Sequence, residues 1–80
     1  MERATILVDL KQILEEVLEE EGLEISETTS AKDIEDWDSI AHVEIIVAVE
    51  EHFNAKFRND EIVQFKNIGD IMNAIEKQLN

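Results

Sequence analysis

The sequence predicts an all-α fold, a four-helix bundle with three longer helices, one short third helix and a long loop between helices 1 and 2. In three segments, apolar residues recur three or four positions apart, which is the spacing of one face of an α-helix. A polar stretch rich in serine and threonine follows the first of these segments. Because the chain has only 80 residues, we expect one small domain over residues 1–80.

The first helix is predicted over residues 5–20. Neither glycine nor proline interrupts it, and Gly22 lies just beyond its end, where a glycine can act as the C-cap. Acidic side chains crowd its last turns, although negative charge there opposes the helix dipole, so they would serve solubility, cation binding or attraction of a partner. The apolar positions are Ile6, Leu7, Leu10, Ile13, Leu14, Val17 and Leu18, and the acidic ones are Glu15, Glu16, Glu19, Glu20 and Glu21.

Residues 22–38 are predicted to form a long connection. A loop of this length is unusual in so small a domain unless it is functional or well packed. Its polar residues are typical of irregular structure, and its apolar residues can pin it to the core. The polar residues include Ser26, Thr28, Thr29 and Ser30, and the apolar ones are Leu23, Ile25, Ile34 and Trp37.

The second helix is predicted over residues 39–53. The β-branched run 45–47 would also suit a strand, but the length and the apolar spacing of the segment favour a helix. The side chains expected to face the core are Val43, Ile46, Val49 and Phe53. A second flank is apolar and ringed by acids, which is typical of a docking surface unless a short third element covers it. The residues of this flank are Ile40, Glu44, Val47 and Glu51.

Two shorter patterns follow a connector at residues 54–58. Asn59 is placed to cap a short third helix that runs to about Phe65, with acidic residues suitably placed in its first turn. Asn67 is placed to cap a fourth helix, and Asp70 resembles the second member of a capping box. The fourth helix keeps helical spacing at Ile68, Ile71, Met72, Ile75 and Leu79.

The charge of the chain restricts its partners. Twenty acidic and seven basic side chains give a formal net charge of −13. Such a surface repels nucleic acids and anionic membranes and attracts basic protein surfaces. No apolar run reaches the roughly 18 residues of a membrane span, and the first residues lack the apolar stretch of a signal peptide. We therefore expect a cytoplasmic monomer without nucleic-acid partners or a membrane span.

Ser39 is the most informative side chain, because it stands where an acidic loop meets the apolar second helix. As an N-cap it would be replaceable, since Asp36 and Asp38 are equally good caps. As a hydrolase nucleophile beside His42 it would need an oxyanion hole and a pocket, and the sequence indicates neither. As a modified hydroxyl it would hold a phosphodiester near free N–H groups and the positive end of the helix dipole.

No specific metal site is predicted. A calcium loop counted from Asp33 would have Trp37 at a ligand position and Asp38 in place of the turn glycine, so the acidic run is not an EF-hand. The chain has no cysteine, which excludes a thiolate metal site, a disulfide and a cysteine nucleophile.

These residues resemble the acyl carrier protein family over nearly the whole chain. Asp38, Ser39 and Ile40 stand where the family has Asp-Ser-Leu. Length, acidity, helix order and the long first loop also match. The segments that fit the second, third and fourth helices of the family are 43–46, 49–53, 57–61 and 68–71.

The resemblance implies a carrier rather than an enzyme. A phosphopantetheinyl transferase would use Mg²⁺ to move the 4′-phosphopantetheine of coenzyme A onto the Ser39 hydroxyl, and the thiol of the arm would carry acyl groups as thioesters. Acyl-loading, ketosynthase or acyltransferase-type enzymes would dock through basic patches. The residues implied in partner recognition are Asp38, Ile40, Glu44, Val47, Glu50 and Glu51, and those implied in lining an acyl chain are Ile46, Ile62 and Ile68.

Several positions depart from the housekeeping carrier of fatty acid synthesis. Ile40 replaces leucine, Ala41 replaces a common acid and Val47 replaces a common methionine. Trp37 and His42 flank the motif as they do in specialised stand-alone carriers. The resemblance therefore implies a specialised carrier in a fatty acid, polyketide or related lipid pathway, with a hydroxyacyl, aminoacyl or polyketide unit among the cargoes to consider. The alternative is an unmodified acidic helical adaptor that binds a basic protein partner.

Overall fold

A computed structural model describes residues 2–79 and confirms the all-α prediction. The helices are α1 (Arg3–Leu18), α2 (Ser39–Phe53), the short α3 (Asn59–Ile62) and α4 (Ile68–Leu79), with a 3-10 turn at Ala31–Asp33 in the long loop. The run 45–47 lies inside α2, so its strand alternative is wrong. Of the helices in the described part of the chain, none has the length and apolarity to cross a membrane.

The end of α1 differs from the prediction. The helix ends at Leu18, and Glu19 rather than Gly22 is its left-handed C-cap, with φ 56° and its N–H donating to the Glu15 carbonyl. Gly22 is also left-handed, at φ 70°, but it lies in the following turn. The helix stops where its apolar face stops, since no side chain after Leu18 has a core position to fill until the chain turns back.

The core lies where α1 packs against α2 and α4. Burial of each large aliphatic side chain stabilises the fold by about 1.5–3 kcal/mol relative to exposure. Val43 was predicted to face this core, but it is 57% exposed, because the inward face of α2 is the one that carries Ala41 and Ile45. The side chains with essentially no exposure are Ile6, Leu10, Leu14, Ile45, Ile46, Val49, Ile68, Ile71, Met72 and Ile75.

The long loop is packed onto the bundle, as its apolar residues predict. Ile34 and Trp37 are buried in the core cluster. The loop backbone is also hydrogen-bonded to the start of α4, since the Ile68 N–H donates to the Thr29 carbonyl at 2.8 Å. The loop therefore holds its C-terminal end, which leads into Ser39, in a fixed place.

The caps of α3 and α4 follow the prediction in part. Asn67 caps α4, since its Oδ1 accepts from the Asp70 N–H at 2.8 Å. Asn59, however, is the first helical residue of α3 and not its cap, and Glu61 Oε1 accepts from the Arg58 N–H at 3.1 Å. The helix ends at Ile62 and not near Phe65.

Candidate functional site

Two adjacent residues at the N-terminus of α2 have different structural roles. Asp38 is the N-cap, and its Oδ1 accepts from the Ala41 N–H at 2.8 Å. Ser39 is the first helical residue, and its side chain is exposed. The capping interpretation of Ser39 is therefore wrong: Asp38 performs that task and leaves the serine hydroxyl at the surface.

The peptide groups around Ser39 suit a phosphate. The first intrahelical bond of α2 runs from the His42 N–H to the Asp38 carbonyl at 2.9 Å. The amides of Ser39 and Ile40 precede it in the first turn, where N–H groups have no carbonyl partner within the helix. A phosphodiester on the Ser39 hydroxyl would lie beside these donors and the positive end of the helix dipole.

A cleft of about 390 Å³ opens directly beside Ser39. A second cleft of about 340 Å³ lies further along α2. The two share Val43, Ile62 and Val63, so they follow one another along the seam between α2 and α3. The first is also lined by Ala31, Trp37, Asp38, Ser39, His42 and Phe65, and the second by Ile46, Val47, Glu50, Phe57 and Asn59.

His42 is not arranged to activate Ser39. Its Nδ1 lies 3.1 Å from Nε1 of Trp37, and its Nε2 lies 2.9 Å from the Ile62 carbonyl oxygen. Both ring nitrogens are thus engaged away from the serine, and a general base must be within hydrogen-bond reach of the proton that it removes. The hydrolase interpretation is therefore wrong.

The predicted docking flank is at the surface, and it is more apolar than the sequence indicates. Ile40 and Val47 are 73% and 48% exposed, and Glu44 and Glu51 are exposed beside them. Val43, which was predicted to be buried, adds to the apolar part of this surface. We call Ile40, Val43, Glu44, Val47 and Glu51 the α2 flank.

Two other predicted recognition residues have structural tasks. The Asp38 carboxylate caps α2, and Glu50 Oε2 accepts from the Phe57 N–H at 2.8 Å. Glu50 is half-buried because it ties the end of α2 to the connector before α3. These carboxylates are therefore held in place by the fold, whereas those of Glu44 and Glu51 extend from the exposed flank.

The residues predicted to line an acyl chain separate into two groups. Ile46 and Ile62 border the second cleft. Ile68, the first residue of α4, has no exposure and packs in the core, and it lines neither cleft at the seam. Trp37, Phe57 and Phe65 line the clefts and were not predicted to do so. Only Trp37 lies next to the motif in sequence, so only for Trp37 was a local signal available.

The electrostatics next to the site are dominated by acids. A side-chain hydrogen bond with Asp36 raises the pKa of Glu20, and partial desolvation and the charges of Asp36 and Glu35 act in the same direction. Within residues 2–79, no three potential metal ligands among histidine and carboxylate side chains come together as a site. The acidic end of the molecule therefore combines a strong negative potential with no preformed metal centre in the described chain.

Comparison with known proteins identifies the family. Residues 8–75 match the family model described as the phosphopantetheine attachment site. The chain belongs to the acyl carrier protein family. Members of the family carry a covalent 4′-phosphopantetheine, are modified by phosphopantetheinyl transferases and serve biosynthetic enzymes, so this protein is a carrier in fatty acid or related lipid synthesis and not a catalyst.

Named relatives and a solved structure show how far the similarity extends. The acyl carrier protein of Exiguobacterium sibiricum is 32% identical over 79 residues, which cover 99% of this chain and 100% of that one. The meromycolate extension acyl carrier protein of Mycolicibacterium smegmatis is 35% identical over 75 residues, 90% of this chain and 73% of that one. The solution structure of holo acyl carrier protein from Geobacter metallireducens has a TM-score of 0.84 and 36% identity, covering 91% of this carrier and 84% of that chain.

Proposed function

We propose that Ser39 carries the 4′-phosphopantetheine arm. The observation that supports this assignment is the exposed hydroxyl at the first position of α2, next to an aspartate that already caps the helix. The serine oxygen attacks the phosphorus that bears pantetheine in coenzyme A. A new P–O bond forms, the pyrophosphate bond breaks, 3′,5′-adenosine diphosphate leaves, and the hydroxyl proton passes to a base of the transferase.

The arm supplies the reactive group that this chain lacks. The sequence has no cysteine, so the terminal thiol of the arm is the group that forms thioesters with acyl cargo. We propose that residues 1–80 form one carrier domain that works as a cytoplasmic monomer.

We further propose that the cargo is specialised. Trp37 and His42 bracket the motif and line the first cleft, where they present an indole and an imidazole beside the attachment position. The polar atoms of the two rings are engaged with each other and with the Ile62 carbonyl, so the rings offer the cargo flat faces. The preference for a hydroxyacyl, aminoacyl or polyketide unit rests on the departures of residues 37–47 from the housekeeping pattern. The named relatives include both general and meromycolate extension carriers, so the family accommodates specialisation of this kind.

Partner enzymes are proposed to read the α2 flank. Its exposed isoleucine and valines supply apolar contact, and Glu44 and Glu51 attract a basic patch on a loading enzyme, ketosynthase or acyltransferase. With a formal net charge of −13, the carrier would meet such a patch by steered diffusion, so association should weaken as salt rises. Asp38 and Glu50 contribute charge from fixed positions.

A modification assay tests the assignment of Ser39. The purified protein is incubated with coenzyme A, Mg²⁺ and a broad-specificity phosphopantetheinyl transferase, and its intact mass is measured. We expect the wild-type protein and the loop control Ser26→Ala to gain one phosphopantetheine, and Ser39→Ala to gain none. An equal gain on Ser39→Ala would reject the assignment, and no gain on the wild-type protein would favour the unmodified adaptor.

A further inference from the structure

Three segments of the chain meet at the imidazole of His42. Its Nδ1 faces the Trp37 indole and its Nε2 faces the Ile62 carbonyl, at 3.1 and 2.9 Å. An indole N–H can only donate and a carbonyl can only accept. Nδ1 must therefore accept and Nε2 must carry the proton, so the two neighbours fix one neutral tautomer. The indole and imidazole rings also stack, with centroids 5.9 Å apart.

The helix held by this contact depends on its neighbours for stability. α3 has four residues, which is far fewer than a helix needs to be stable by itself. Ile62 is only half-buried, and the following Val63 is 78% exposed. The nearby Phe57 and Phe65 rings pack edge to face at 5.4 Å, but they lie in the segments that flank α3. The His42–Ile62 bond is thus a direct link between α2 and α3.

The same link controls the shape of the clefts. Ile62 and Val63 form a wall of both clefts, and Val43 on α2 forms the opposite wall. Because the same residues border both clefts, a displacement of α3 away from α2 would widen both together. Because Trp37 is only 4% exposed, the indole that orients His42 cannot exchange its hydrogen bond freely for one to water.

We propose that His42 is a positioning residue that clasps α3 to α2 and sets the width of the clefts beside Ser39. With the clasp closed, compact acyl groups fit the clefts. A long chain that passes between α2 and α3 must first break the His42–Ile62 bond, so the clasp selects against it. The link to cargo rests on the proposed function of Ser39, whereas the clasp itself is a property of the unmodified protein.

The first test uses the unmodified protein and a matched pair of variants. A glutamine at position 42 can place its amide N–H near the position of Nε2 and donate to Ile62, whereas an asparagine reaches only the position of Nδ1. Loss of one hydrogen bond changes an opening equilibrium about fivefold. We expect amide hydrogen exchange at Ile62 and Val63 to rise about fivefold in His42→Asn and to stay near the wild-type rate in His42→Gln. Equal rates in the two variants would overturn the clasp.

The tautomer gives a readout that general destabilisation would not change. In the wild-type protein at pH 8, ¹⁵N spectra of the imidazole should show a protonated Nε2 and an unprotonated Nδ1. In Trp37→Phe, which keeps an aromatic ring but removes the indole N–H, the two tautomers should both appear. A protonated Nδ1 in the wild-type protein would contradict the proposed hydrogen bonds.

The cargo is tested on the modified protein. Wild-type, His42→Gln and His42→Asn carriers are loaded with a hexanoyl group, and cleavage of the thioester by hydroxylamine is timed. We expect cleavage to be faster in His42→Asn alone, because its clefts are no longer held in shape. Equal rates in all three would overturn the role in cargo. If Ser39 accepts no arm, the proposed function fails together with the cargo role, while the exchange measurement still decides the clasp.

Discussion

The Gly69 amide donates to the Glu27 carbonyl at 2.7 Å, which brings the backbone of the long loop against the first turn of α4. A Cβ at position 69 would lie 2.9 Å from that carbonyl oxygen. The contact is between two backbones, so neither can simply rotate away. The backbone φ of Gly69 is not in the left-handed region. Glycine is therefore needed at this position for the close approach of two backbones and not for its own conformation.

Gly69→Ala should therefore destabilise the fold even though alanine is the better helix former. Displacement of the loop costs about 1–3 kcal/mol, and the helix preference of alanine returns about 1 kcal/mol. Urea denaturation should show a net loss of stability. Amide hydrogen exchange at Ile68 should rise, because the displaced loop would weaken the bond from the Ile68 N–H to the Thr29 carbonyl. Gly22→Asn is the control, since position 22 is left-handed with no atom within 4 Å of an added Cβ. Unchanged exchange at Ile68 in Gly69→Ala would contradict the close approach.

Substitutions of Asp38 separate its cap from its charge. Asp38→Ala removes the acceptor of the Ala41 N–H and should destabilise the protein by about 1 kcal/mol. Asp38→Asn keeps an acceptor and should retain most of that stability. If the charge of Asp38 is read by the transferase, Asp38→Asn will be modified more slowly while its denaturation midpoint stays near wild type. Equal loss of stability in both variants would argue against capping by this side chain.

Stability near the acidic end should depend on the protonation of Glu20. The pKa of Glu20 is raised in the folded state, chiefly by the hydrogen bond with Asp36. The contribution of Glu20 to the free energy of unfolding is therefore fully present below the pKa of the unfolded state, and it is lost as pH rises through the pKa of the folded state. Glu20→Gln should therefore gain stability relative to wild type as pH rises from about 4 to 7. Glu16→Gln serves as the control acid on α1. A difference between Glu20→Gln and wild type that is flat with pH would contradict the shift.

The ion pair of Arg3 and Glu27 should make stability depend on pH with the opposite sign to Glu20. A hydrogen bond from the Arg3 guanidinium lowers the pKa of Glu27, so the stability from this pair is present above the ordinary carboxyl pKa and is lost as pH falls through the folded value. Denaturation of Glu27→Gln should show a smaller loss of stability on acidification than wild type. Both groups are at the surface, so moderate salt should reduce the difference. An acid-side loss as large as that of the wild-type protein would argue against the pair.

Partner recognition can be tested with two apolar residues of similar exposure. Ile40 on the α2 flank is 73% exposed, and Val8 on α1 is 60% exposed. Truncation of an interface anchor commonly costs more than 1 kcal/mol, so kcat/KM of the transferase for Ile40→Ala should fall by about tenfold. Val8→Ala should be modified at the wild-type rate. A similar fall in both variants would show that docking does not depend on the α2 flank.

The like charges of this protein predict a response to salt. With a formal net charge of −13, self-repulsion in the folded state should be screened as ionic strength rises. The Debye length falls from about 30 Å at 0.01 M to about 8 Å at 0.15 M. We expect the melting temperature to increase over this range. A melting temperature that is unchanged between low and moderate ionic strength would contradict this prediction.

The sequence predicted those features that are set by neighbours along the chain. The spacing of apolar residues defined α2 and α4, and Asn67 marked the start of α4 because its cap contact is local. The end of α1 was less well defined, because Glu19 takes a left-handed conformation that the sequence favours at Gly22. Val43 was misassigned because α2 is apolar on more than one face, and only its packing against α1 decides which face is buried.

The candidate site also combines features that depend on neighbours along the chain with features that depend on tertiary packing. The place of Ser39 at the start of α2 could be predicted from the sequence around it, and the exposure of Ile40 and Val47 from helical geometry. The contact from Trp37 through His42 to Ile62 could not, because it joins residues from three segments and depends on where α3 lies. The hydrogen bond from the Phe57 N–H to the Glu50 carboxylate could not be predicted either, because it depends on how the connector packs against α2.

The cap contact at Asp38 has a consequence for how the carrier is used. Because Asp38 and not Ser39 satisfies the Ala41 amide, the start of α2 is complete whatever group the serine oxygen bears. With the arm on Ser39, as proposed, a transferase would meet a first turn that is already capped, and later exchange of cargo would require no refolding of that turn. The chemical state of the carrier could then change many times while its scaffold stays the same.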